Sequence, residues 1–250
     1  MEKFLAFDIE TNAEDFDSLS ESQREYILRR AETEEEIEQK KAEMSLAPLT
    51  SRVVCIGMKM IELINPDAPF GSDERYKEGN LLAYSLDETL EDGDTHEMKL
   101  GDGNIAYLSN ERTLLTKFWK IFQKYPQITL VSFNGRNFDA PFLMLRSAKL
   151  GIRPGRNLMA GTKFNYPYHT DLIDEMTFYM PSQQGATRRY NFDFYTRALG
   201  IESPKSIEVN GSKVGEMYAA GRIDQISEYC LRDVRATWDL YLYWEKYLKF

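Results

Sequence analysis

Asp8-Ile9-Glu10 is the first chemically suggestive group in this 250-residue chain. It follows the apolar run Phe4-Leu5-Ala6-Phe7, which reads as a short buried strand. On a strand, positions i and i+2 share a face, so both carboxylates project together. Like charges so placed repel unless a cation lies between them. Hard divalent ions such as Mg²⁺ take carboxylate oxygens. Two solvent-facing acids at a strand end are the blander alternative, and a lone acid pair of this kind is common.

Two further groups carry similar chemistry. Asn134-Gly135-Arg136-Asn137-Phe138-Asp139 follows the strand-like ITLVSF run of residues 128–133 and opens a helical pattern at Ala140. Asp139 there is also an ordinary helix N-cap, with Pro141 in the first turn, and Asn134-Gly135 an ordinary turn. Tyr229 and Asp233 stand at i and i+4 on the last helical segment, so the phenol and carboxylate share a face. A core tyrosine beside a surface acid would look the same.

Taken in order, the three groups resemble the Tyr-containing branch of the DEDD 3′–5′ exonucleases, whose fold is ribonuclease H-like. They are most similar to the proofreading exonuclease domain of family B DNA polymerases. The likeness covers residues 3–12, 50–64 and about 112–250, fails over 13–48, and is weak over 65–110. It implies that Asp8, Glu10, Asp139 and Asp233 hold two divalent metal ions, Mg²⁺ or Mn²⁺. Tyr229 would hydrogen-bond the attacking water, since a phenol of ordinary pKa near 10 stays protonated at neutral pH. Thr11, Asn134, Phe138 and Arg188 would touch the substrate. That substrate is the 3′ end of a single-stranded nucleic acid, DNA favoured over RNA through the polymerase likeness alone. The motifs run from residue 8 to residue 233, so no attached polymerase domain is expected. Such an enzyme would proofread in trans or act alone in repair or trimming.

The positioning elements follow from the pattern. Strands are predicted at 4–7, 52–64, 81–86, 104–108 and 128–133, with another near 169–173. Helices are predicted over 21–44, 110–124, 140–150, 191–199, 213–220 and 225–248, the last capped by Asp224. This is an α/β chain with a mixed sheet flanked by helices, read as one domain over 1–250. Residues 13–48 look like an acidic helical insertion after the first strand, and 65–103 like an insertion of hairpins and loops.

Composition narrows the partners. The net charge of −9 opposes a nucleic-acid ligand at first sight. Residues 14–43 and 87–102 each carry a net −6, however, so the remainder is mildly basic at +3. Arg146, Lys149, Arg153, Arg156 and Lys163 form one basic run. Arg188, Arg189, Arg197, Lys205 and Lys213 form another. Either run could meet phosphates, though a solvated face is the plainer reading. Tyr166, Tyr168, Tyr179 and Tyr190 could stack on bases or fill core. A structural role is preferred for His169 and Asp171.

The acidic 13–48 segment is a candidate dock for a protein partner. A non-catalytic binding module on the same fold is the rival function. A two-carboxylate glycosidase is a third class, but it leaves Tyr229 and Asp233 unexplained. No Ser–His–Asp array, GxGxxG, P-loop or CxxC occurs. The longest run without a charged side chain is residues 176–187, too short and too polar to cross a membrane. An acid at position 8 interrupts any signal-peptide core. Cys55 and Cys230 read as reduced, buried thiols, and the expected location is cytoplasmic.

Overall fold

A computed structural model describes residues 2–203 and 213–250; Lys205, from the second basic run, lies outside the described residues. The chain opens with β1 (Lys3–Ala13). Its residues alternate between two cores: Phe4 and Ala6 enter one, Leu5, Phe7 and Ile9 the other. Burial on both faces marks a central strand.

Two helices follow, α1 (Glu21–Leu28) and α2 (Glu34–Glu43), where the sequence suggested a single one over 21–44. Each starts at its own capping box, Ser20 with Gln23 and Thr33 with Glu36. Arg30, at φ 71°, turns the chain between them. Neither helix has a fully buried residue.

β2 (Ser51–Leu63) returns antiparallel to β1. β3 (Tyr76–Leu86), β4 (His96–Lys99) and β5 (Ile105–Ser109) complete that side of the sheet. The 65–103 segment therefore contributes two strands to the sheet besides its loops. Lys77 and Glu78 are polar, and only the ladder to β2 at Glu62 and Ile61 makes them strand.

α3 (Glu111–Lys124) leads to β6 (Thr129–Ser132), which is parallel to β1. α4 (Asp139–Lys149), β7 (His169–Asp171), α5 (Leu172–Met176), α6 (Phe192–Ala198) and α7 (Val214–Ala219) come next. The long α8 (Ile223–Tyr247) is the last element. Its N-cap position is Arg222, and Asp224 lies inside the first turn rather than capping it.

The seven strands are ordered β4-β5-β3-β2-β1-β6-β7, with parallel and antiparallel pairs. The fold is a mixed α/β sheet with helices on both faces. Trp238, Tyr241 and Ile226 of α8 cover one face. Phe118 and Trp119 of α3 and Leu143 of α4 cover the other. Among the described residues, no helix is long and apolar enough to cross a membrane.

Candidate active site

Asp8 and Glu10 continue the Phe4–Ala6 face of β1, so they point toward α8. The ladder sets Asp8 opposite Gly57 and Glu10 opposite Cys55, with a register shift just after Glu10. Gly57 is where α8 comes down on the sheet. A Cβ there would lie 2.8 Å from Cys230 Sγ and 3.0 Å from Val234 Cγ2. Real Cβ atoms do not approach so closely, so glycine is what lets the helix descend. The Cys230 thiol consequently sits 3.5 Å from the Asp8 carbonyl oxygen. Tyr229 and Asp233 flank Cys230 on α8 and are buried at 5% and 8% exposure. Asp8, Tyr229 and Asp233 line a cavity of about 130 Å³, together with Phe133, Phe192 and Asp193.

Asp139 arrives from the other side. β6 lies beside β1, and beyond it the chain turns through Asn134 at φ 65° and Gly135. A Cβ on Gly135 would strike Ser132 Oγ at 2.3 Å. The Asp171 carboxylate accepts the N–H groups of Asn134 at 2.7 Å and Arg136 at 2.8 Å, which fixes the turn. Phe138 occupies the N-cap position of α4, and Asp139 is its first helical residue. Instead of capping the helix, Asp139 Oδ1 accepts the N–H of Ile9 at 3.0 Å. The second motif is thereby tied to the backbone between Asp8 and Glu10.

Burial and mutual repulsion dominate the electrostatics. Desolvation raises the Asp8 carboxyl well above its ordinary range, helped by Asp139, Asp233 and Glu10. Glu10 is raised by burial first and then by Asp233. Burial pushes Asp139 up to about 7 against the opposing Ile9 hydrogen bond. The Tyr229 phenol is raised by burial and then by Asp233, Glu10 and Asp8, so it keeps its proton. Ligand atoms of Asp8, Glu10 and Cys230 all fall within 4.8 Å of one another. Crowded buried carboxylates of this kind are stabilised by a cation.

The expected substrate contacts scatter. Thr11 donates its hydroxyl to the Ser45 carbonyl at 2.7 Å, linking β1 to the chain just after α2. The Phe138 ring packs on Phe142, with centroids 5.5 Å apart. Asn134 lies in the turn held by Asp171. Arg188 is exposed beside Tyr190 and is not among the residues lining the cavity.

Much of the first basic run is structural. Arg146, 3% exposed, makes a two-pronged contact with Glu111 at 2.7 Å and a third bond to Glu14 at 2.8 Å. Lys149 binds Glu14, and Arg156 donates to the Ile128 carbonyl. In the second run, Arg189 pairs with Asp174 and Arg197 with Asp193. Buried Tyr166 donates to Asp174, and Tyr179 to Glu175. His169 is buried against Ser132, its pKa pushed down to about 3 by desolvation, so it stays neutral.

Phe133, Phe192, Asp193 and Gly57 were not singled out from the sequence. Phe133 ends the strand before the Asn134 turn, and its position there was the one available hint. Only the folded chain brings the other three to the site.

Comparison with known proteins bears on this arrangement. The family described as "Predicted 3'-5' exonuclease related to the exonuclease domain of PolB" matches residues 81–248. That stretch holds Asp139, Tyr229 and Asp233 but not Asp8 or Glu10. A DNA polymerase of Pyrococcus glycovorans is 24% identical over 147 residues, 54% of this chain and 18% of the relative. DNA polymerase 1 of Sulfolobus acidocaldarius is 26% identical over 167 residues, 64% of this chain and 18% of the relative. The chain thus spans less than a fifth of the length of either. The solved family B DNA polymerase of Pyrobaculum calidifontis superposes with a TM-score of 0.53 over 96% of this chain and 24% of its own. At 18% identity that likeness is one of fold.

Proposed function

Because the chain belongs to the family of predicted 3′–5′ exonucleases related to the exonuclease domain of PolB, we propose that it removes nucleotides from the 3′ end of a single strand, DNA in preference to RNA. On this reading Asp8, Glu10, Asp139 and Asp233 hold two divalent ions, Mg²⁺ or Mn²⁺. One observation carries the proposal. Four carboxylates and a phenol, from β1, α4 and α8, meet in one buried region with the Asp8, Glu10 and Asp139 carboxyls held above their ordinary pKa.

The donor set fits such ions, since hard divalent cations prefer carboxylate oxygens. When bound, they acidify the nucleophilic water and stabilise the leaving oxygen. Tyr229, which keeps its proton, holds that water by a hydrogen bond and does not act as the base. Phe133 and Phe192 wall the cavity and exclude bulk water from the reacting end. Asn134 and Phe138 lie near the terminal nucleotide. Asp171 acts at one remove, by fixing the turn that aims Asp139.

The test is a gel assay with 5′-labelled single-stranded DNA and RNA in Mg²⁺, Mn²⁺ or EDTA. Wild type runs beside an Asp8→Ala/Glu10→Ala variant. The expected result is a metal-dependent ladder shortening from the 3′ end, absent in the variant. Intact oligonucleotides in every lane, with metal still raising the melting temperature, would overturn the enzyme reading in favour of a binding module.

A further inference from the structure

α3 is a basic stretch that the acidic net charge of this protein conceals. It carries four basic residues and one acid, and Lys117, Lys120 and Lys124 stand at i, i+3 and i+7 on one face. Two open cavities of about 670 and 580 Å³ adjoin there, sharing Lys124 and Tyr125 in their linings. Tyrosines interleave with the lysines. Tyr84 and Tyr107 pair across β3 and β5, with ring centroids 6.4 Å apart. The Lys117 ammonium lies 6.0 Å from the Tyr84 ring, and Lys3 and Lys124 each lie 5.2 Å from the Tyr125 ring. Glu2 is the single acid in either lining.

We infer that this strip of Lys117, Lys120, Lys124, Tyr84, Tyr107 and Tyr125 binds single-stranded nucleic acid. Ammonium groups would meet phosphates, and the rings would offer faces to bases. A polyanion is the occupant because cationic and aromatic side chains alternate with almost no carboxylate, in a chain of net charge −9. A protein partner would not require that segregation.

The strip stands apart from the carboxylates. Lys3 lines the first cavity and opens β1, whereas Asp8 lies five residues further along. That is about 17 Å at the rise of a strand. A strand stacked at about 3.4 Å per nucleotide crosses that distance in roughly five nucleotides. The strip therefore holds the body of a strand whose 3′ end is being trimmed. That last step rests on the exonuclease reading; the binding itself does not.

The test compares wild type with Lys120→Gln/Lys124→Gln, both exposed side chains, after melting temperature confirms the fold. Labelled DNA of about 20 nucleotides and of about four serve as probes. In EDTA, each lost phosphate contact removes about 0.7 from the slope of log binding constant against log salt. The variant should lose about 1.4 of slope and bind the longer DNA about 25-fold more weakly near 0.1 M salt. With metal, KM for the longer substrate should rise, while kcat and the KM of the short one stay put. Unchanged slope and Kd would overturn the inference and leave the face to a protein partner. An equal loss on the short substrate would overturn it too. If wild type cuts nothing yet shows the lysine-dependent binding, the strip stands and the exonuclease reading falls.

Discussion

Asp139→Asn should make the metal-free protein less sensitive to rising pH. The folded Asp139 carboxyl releases its proton near 7, against an ordinary value of 3.8, because burial penalises its charge. Between those values the native state holds a proton that the unfolded chain has given up. Stability then falls as pH rises through the window. From pH 5 to 8 this amounts to about 2 pH units of one bound proton, or roughly 2.5 kcal/mol. His169 and Asp171 also titrate across the range, His169 with the opposite sign, and the raised Asp8 and Glu10 carboxyls act in the same sense as Asp139. A double difference removes what the two proteins share; because the Asp139 charge helps raise Asp8 and Glu10, their relief in the variant adds to it with the same sign. Urea unfolding of wild type and Asp139→Asn, in EDTA at pH 5 and pH 8, gives the four free energies required. Asparagine keeps an oxygen to accept the Ile9 N–H, so the backbone tie survives. Wild type should lose roughly 2.5 kcal/mol more than the variant over the interval. Saturating Mg²⁺ or Mn²⁺ at pH 8 should stabilise wild type and remove most of that gap. A double difference near zero would show the carboxyl solvated and ionised, and would refute the burial argument.

Three other outcomes are expected. Gly57→Ala must push α8, through Cys230, off the sheet and should cost about 1–3 kcal/mol in urea unfolding; nucleotide release should drop as well, since Tyr229 and Asp233 ride on the same helix. Tyr229→Phe should keep the fold by circular dichroism and lower kcat by up to about 100-fold, the scale of a misplaced nucleophile. Arg146→Met should destabilise the protein by about 3–5 kcal/mol in thermal melting, because Glu111 and Glu14 lose their buried partner.

The site was legible where chemistry is local to the sequence. The Asp8/Glu10 and Tyr229/Asp233 pairs each sit within a few residues, so spacing alone showed a shared face; the Asn134–Asp139 step looked like a turn and a helix start, and only the family resemblance joined it to them. Sequence could not show that Gly57 admits α8, or that Asp171 fixes the Asn134 turn, because both are tertiary contacts. The helix break near Arg30 had a readable signal in the Thr33–Glu36 capping box, which the charge run obscured. β4 (HEMK) has Met98 as its one apolar residue, too little to read as a strand, and becomes one by pairing with β5 at the sheet edge. Arg146 read as a solvated residue or a phosphate contact, and its buried ion pairs were hidden because Glu14 lies 132 residues from it and Glu111 lies 35.

The contact between Cys230 and Asp8 joins residues 222 positions apart, and this orders events during synthesis. A nascent chain carries Asp8 and Glu10 from the start but cannot complete the carboxylate cluster until α8 has been made and laid on the sheet. Contacts of such separation close late in folding, since the intervening loop must be ordered first. Under the proposed activity the site stays incomplete until α8 has been made. Fragments ending before α8 keep Asp8, Glu10 and Asp139 but lack Tyr229 and Asp233.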